Sequence, residues 1–138
     1  MDDIRRSSIR ILYPRLPYAL FDLRPWTPPT NVFETEQAMV IVAELAGVDP
    51  ASLRIDAHPT FVSIQGTRQL ALPARLRRLH RMEIASGPFQ IEVPFDRPID
   101  PDAATARALN GLLEVWLPFA GQTEQRVVVI QVSEGGGQ

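Results

Sequence analysis

The chain predicts an all-β fold, an immunoglobulin-like β-sandwich, on three observations. Apolar and polar residues alternate in short runs at roughly ten-residue spacing, with no uninterrupted helix between them, as in strands joined by tight turns. Asn110-Gly111 lies between two such runs and suits a type I′ turn, because both central positions need φ > 0. Apolar content of 45% over 138 residues fills one core. The expected organisation is an arm over residues 1–25, a sandwich domain over 26–119 and a tail over 120–138.

The arm carries Ile9, Ile11, Leu12, Leu16, Tyr18, Leu20 and Phe21 among Pro14, Pro17 and several arginines. No period survives the prolines, so the arm reads as irregular or briefly helical. It is nevertheless too apolar for an ordinary solvated tail. Contact with other proteins, packing inside an assembly of copies and disorder all fit it. Trp26, set among Pro25, Pro28 and Pro29, marks a stiff boundary.

Strands begin at Asn31. Ala38 to Leu45 is almost continuously apolar, as in a strand covered on both faces. Gly47 and Asp49-Pro50 end it. Leu53, Ile55 and Ala57 alternate with Ser52, Arg54 and Asp56, which predicts a half-buried strand. After the break at His58-Pro59, Phe61 to Gln65 forms another strand, stopped by Gly66. Residues 67–82 admit two readings. Leu72, Leu76 and Leu79 have helical spacing, but Pro73 interrupts it and the arginine alternation equally suits an exposed strand. Gly87-Pro88 opens a cleaner strand with Phe89, Ile91 and Val93 inward, and Pro94 to Pro101 reads as a loop.

The hairpin follows. Ala103, Thr105, Arg107 and Leu109 share one face before the turn. After it, Leu113, Val115 and Leu117 face one way and Leu112, Glu114 and Trp116 the other. Beyond Pro118 a polar linker leads to the apolar run Val127 to Val132 and then Ser133, Glu134 and three glycines. An isolated strand-like segment cannot bury itself, so this run needs a partner surface.

The net charge of −2 argues against a dedicated nucleic-acid binder. Every positive charge is arginine, either from codon bias or from a preference for ordered bidentate pairs. Arg68, Arg75, Arg77, Arg78 and Arg81 cluster with no acid among them, whereas acids dominate from Met82 onward. That cluster lacks interleaved aromatics, so a solvated loop or a contact between copies fits it better than nucleic acid or acidic lipid. No apolar run approaches the about 18 residues of a membrane span and no signal-peptide pattern opens the chain, so cytoplasmic localisation is the default expectation.

Catalysis finds little footing. The absence of cysteine removes disulfides and thiolate chemistry. His58 and His80 lie in different segments without metal-ligand spacing. Asp100-Pro101-Asp102 reads as loop-shaping, and Gly135 to Gly137 lack the Lys-Ser/Thr of a phosphate loop. No enzyme, cofactor or metal site is expected.

Six pieces of the sequence, in order over about ninety residues, carry a family resemblance. They are Trp26-Thr27-Pro28 with Asn31-Val32-Phe33-Glu34-Thr35; Glu44-Leu45-Ala46-Gly47-Val48; Phe61-Val62-Ser63-Ile64-Gln65-Gly66-Thr67-Arg68; Glu83 to Phe89; Val93-Pro94; and Ala106, Leu109, Asn110, Gly111, Leu112 and Leu113 closing on Leu117-Pro118. Together they resemble the α-crystallin domain of small heat-shock proteins. Departures are Ala46 for the usual proline, Ile91 where the family often has arginine, and Phe119 for the lysine after Leu-Pro.

The resemblance implies an ATP-independent holdase that binds unfolding client proteins and works as a homo-oligomer built from dimers. It implies a dimer-exchange loop at Arg75, Leu76, Arg77, Arg78, Leu79, His80, Arg81 and Met82, lent to a partner's sheet. It also implies a tail anchor at Ile130 and Val132, with Val128 and Ile130 as a second register, inserted into a neighbour's groove. Client binding is assigned to the arm and to exposed grooves. The alternative is an adaptor with a similar sandwich and one defined partner, but such domains usually lack the apolar arm, the arginine-bearing loop and the tail anchor.

Overall fold

Asn110 (φ 53°) and Gly111 (φ 79°) both adopt the left-handed region that a two-residue type I′ turn requires. In the computed structural model, which describes residues 26–121 and 127–135, they join β6 (Thr105–Leu109) to β7 (Leu112–Pro118), with Leu109 paired to Leu112. The remaining elements are β1 (Thr30–Glu34), β2 (Ala38–Glu44), β3 (Arg54–Ala57), β4 (Phe61–Arg68), β5 (Gly87–Pro94), β8 (Val128–Val129) and β9 (Val132–Glu134). Short 3₁₀ turns at Pro50–Ser52 and Pro101–Ala103 are capped by the Asp49 and Asp100 carboxylates.

Two sheets form the sandwich, a five-stranded one in the order β1-β2-β7-β6-β9 and a four-stranded one in the order β5-β4-β3-β8. Every pairing is antiparallel except β6 with β9. Ile41, Val115 and Leu113 of one sheet meet Ile55, Ile64 and Phe89 of the other in a single core. Burial alternates strictly along β5 and β7, with Phe89, Ile91 and Val93 inward on the first and Leu113, Val115 and Leu117 inward on the second.

Local chemistry sets the turns. The Thr35 hydroxyl accepts the Ala38 N–H at 3.0 Å and turns β1 into β2. The His58 N–H donates to the Phe61 carbonyl at 2.8 Å, closing the β3–β4 hairpin, and the His58 ring stacks on Phe61 at 3.9 Å.

Two expectations need correction. β4 does not stop at Gly66 but runs on to Arg68. Gly66 is there because the Phe89 ring lies across it: a Cβ would sit 2.8 Å from Phe89 Cζ. Residues 69–86 form neither helix nor strand, so both readings of that stretch give way to an irregular loop. The stretch after Pro94 is a loop as expected, and it also supplies Phe95 and the fully buried Ile99 to the core. The apolar run after Val127 also divides: β8 joins one sheet and β9 the other, with Ile130 and Gln131 between them.

Candidate interaction surfaces

The seam between the two sheets, where β3 borders one and β6 the other, is the first candidate. The segment 128–135 of the same chain lies in it. Asp56 pairs with Val129 and Ala57 with Val128, and the Ile130 N–H donates to the Ile55 carbonyl at 3.0 Å. One step later the tail has crossed to the other sheet, where Val132, Ser133 and Glu134 pair with Ala106, Arg107 and Ala108. The Gly135 N–H then donates to the Ala108 carbonyl at 2.8 Å. Ile130 is 7% exposed and belongs to the core, and Val132 packs against it, whereas Val129 is 48% exposed. In this seating Ile130 is buried while Val128 and Val132 are both half-buried, and of those two Val132 is the one packed against the core. A shallow depression of about 370 Å³ beside the tail is lined by Thr105, Arg107, Glu114, Trp116 and Ser133.

The sheet edges are the second candidate, and they are unequal. β5 is blunted: Pro88 and Pro94 have no N–H to offer, and Trp26 bridges Phe89 while its Nε1–H donates to the Gly87 carbonyl at 2.9 Å. β1 carries no proline and has no strand on its outer side among the described residues. The Thr35 N–H bonds the Ala38 carbonyl and the Glu44 N–H bonds the Pro29 carbonyl, so the odd-numbered residues of β1 face β2. The backbone groups of Thr30, Val32 and Glu34 therefore point outward. The side chains of Val32 and Phe33, on opposite faces of that strand, are both exposed.

The loop at 75–82 is the third. Arg75, Arg77, Arg78, Leu79, His80 and Arg81 are exposed, and Leu76 and Met82 half-buried. Arg75 holds a positive φ of 58°. The arm residues Ile9, Ile11, Leu12, Leu16, Tyr18, Leu20 and Phe21 lie outside the described residues.

The motif pieces converge on a fourth place, which sequence reasoning missed. Arg68 is buried; its Nε–H donates to the Ala85 carbonyl at 2.9 Å and its Nη1–H to the Ala46 carbonyl at 3.0 Å. Its guanidinium lies 4.0 Å from the Trp26 ring centroid, and Trp26 meets the Phe89 ring edge-on at 5.5 Å. The Glu44 carboxylate is 3.9 Å away and also accepts the Ala46 N–H at 3.0 Å. The Leu45 N–H donates to the Gly111 carbonyl at 2.7 Å, and a Cβ on Gly111 would lie 3.0 Å from the Ala46 Cβ. The first, second, third, fourth and last motif pieces thus build one corner. Its groups are mutually satisfied, which marks it as architecture rather than a binding site.

Among the described residues no three His, Asp or Glu side chains gather as metal ligands. Asp56 raises the Arg54 pKa above its ordinary value, first by the hydrogen bond and then by charge, but the pair is at the surface. Ile91 is buried opposite Ile64, so the arginine often found at that position gives way to packing within this chain's own core. Phe119 carries the Arg97 guanidinium over its ring at 4.0 Å.

Comparison with known proteins agrees with this architecture. The model of the Hsp20/alpha crystallin family matches residues 31–133. Small heat shock protein C2 of Rickettsia felis is 24% identical over 115 residues, which is 83% of this chain and 75% of that protein. The crystal structure of hspA from Xanthomonas axonopodis superposes with a TM-score of 0.62 at 28% identity, covering 70% of this chain and 96% of that one. A small heat-shock protein from Xylella fastidiosa, described as having a distinct high order structure, gives 0.62 at 26% identity over 75% of this chain and 94% of that one.

Proposed function

The chain belongs to the Hsp20/alpha crystallin family of non-enzymatic chaperones, and we propose that it is an ATP-independent holdase working as a dynamic homo-oligomer in the cytosol. The observation that carries this reading is the seam. Two apolar side chains and a few backbone bonds close it, and they belong to a segment that follows β7, beyond the last long strand of the sandwich.

Assembly uses both kinds of unsaturated surface. The open edge of β1 receives the 75–82 loop of a partner copy, which supplies the missing strand partner. Charge favours the docking, because Glu34 and Glu36 stand at the end of β1 and the loop carries Arg75, Arg77, Arg78 and Arg81. Tails then join dimers by entering a neighbour's seam through Ile130 and Val132. Burying these two side chains is worth about 1.5–3 kcal/mol each, and association consumes much of that. One anchor is therefore weak, while many acting together hold the particle by avidity.

Such a particle loosens on heating or dilution and exposes seams, edges and arms when client proteins begin to unfold. No nucleotide enters the cycle. The test is light scattering of a heat-aggregating enzyme, with and without this protein and with no nucleotide added. Suppression at stoichiometric ratios is expected. Unchanged aggregation at stoichiometric excess overturns the holdase and leaves the single-partner adaptor.

A further inference from the structure

We propose that the tail is a self-seating latch: in the unassembled chain, segment 128–135 occupies its own seam and competes there with the tail of a neighbouring copy. The inference concerns the regulation of the anchoring surface and rests on the proposal that tails also dock between copies.

The geometry is that of a built contact rather than a passing one. The tail satisfies edge groups of both sheets, through the Ile130 N–H on the Ile55 carbonyl at 3.0 Å and the Gly135 N–H on the Ala108 carbonyl at 2.8 Å. Ile130 completes the same core that Ile55 and Ala106 line and Val132 packs against it, so each chain carries in its own tail the apolar residues that fill its seam. Gly135 is fitted to its place, since a Cβ there would stand 3.2 Å from the Leu109 Cβ. A neighbour's tail must displace all of this before it can enter.

Covalent attachment gives the resident tail an effective concentration on the order of millimolar for a short connection. A free neighbour at micromolar concentration loses that competition. A neighbour already held by strand pairing at β1 competes on comparable terms. Latching therefore favours small closed species at low concentration, and exchange to intermolecular docking follows once copies are brought together. The same competition shields the seam from indiscriminate strand pairing in dilute protein.

The absence of cysteine makes a clean test available. Ile130 is bonded to Ile55, so the next pair along, Asp56 and Val129, is non-hydrogen-bonded, with Cα atoms expected about 4.5 Å apart, inside the range a disulfide accepts. The full-length double variant D56C/V129C is oxidised over a series of protein concentrations and run on non-reducing gels. A fast-migrating intrachain product is expected to dominate at submicromolar concentration, with an interchain ladder growing as concentration rises. The purified intrachain-oxidised protein should lose the large species on gel filtration and regain it on reduction. Interchain products alone at every concentration, or no cross-link at all, overturn the latch. So does an oxidised form that elutes at the same size as the reduced one. Mixed single variants D56C and V129C report separately on docking between copies: a mixed disulfide between them supports the tail anchoring on which the latch rests, whatever the outcome for the double variant.

Discussion

At the scale of single residues, Arg68 shows how position overrides composition. In the sequence it heads a run of arginines; in the fold it is the only one of that run to be buried, holding the Ala46 and Ala85 carbonyls beneath Trp26. Hydrogen bonds to a charged group contribute about 1.5–3 kcal/mol, and deleting the donor strands both acceptors. Arg68→Met should therefore lower stability by about 3 kcal/mol, read by urea denaturation, and Arg68→Lys should not restore it, because one ammonium cannot reproduce the fork. Glu44→Gln keeps the oxygen that accepts the Ala46 N–H and removes only a long, half-exposed ion pair, so a change within about 0.5 kcal/mol is expected. A larger loss for Glu44→Gln than for Arg68→Met would reverse this assignment. The Asn110-Gly111 turn was legible because its requirement is local. Gly66 was misread because its requirement is not: only the fold brings the Phe89 ring, 23 residues away in sequence, onto it.

At the scale of elements, alternation made β3, β5 and β7 readable, since each has one face to the core and each is bounded by Gly, Pro or Asn-Gly. Residues 69–86 stayed ambiguous because, among the described residues, no strand pairs with them, and an alternating pattern without a neighbouring strand does not choose a conformation. The proposed exchange makes them a strand on a partner's β1, and that edge is where the proposal is tested. Val32→Pro removes an N–H that points away from β2 and leaves every β1–β2 bond in place. The variant should fold with nearly unchanged monomer stability, yet sediment as monomer instead of dimer. Deleting 75–82 should have the same consequence. Dimers that persist in both variants would place the pairing on another edge.

At the scale of the whole molecule, the tail and the sandwich are separable in energy. Burying Ile130 and Val132 contributes about 3–6 kcal/mol gross, against roughly 1 kcal/mol or more for each backbone residue ordered. The backbone bonds to β3 and β6 add to the favourable side, and the net is a few kcal/mol at most. A contact of that size opens locally long before the core unfolds. Its opening then sets a ceiling on what any tail substitution can do. Once the tail is released, the original chain and an Ile130→Ala/Val132→Ala variant present the same sandwich, so the substitutions cannot cost more stability than the docked tail supplies. The division of the apolar run into β8 and β9 follows from the same facts and was hidden in the sequence, because it depends on the gap between two sheets rather than on any period in residues 127–132. The double variant and a chain ending at Gly121 should accordingly share one melting temperature at submicromolar concentration, a few degrees below that of the original. Both should also elute as dimers at concentrations where the original forms larger species. If the double variant melts well below the truncated chain, the tail is an integral part of the core, and an assembly that works by releasing it has no physical basis.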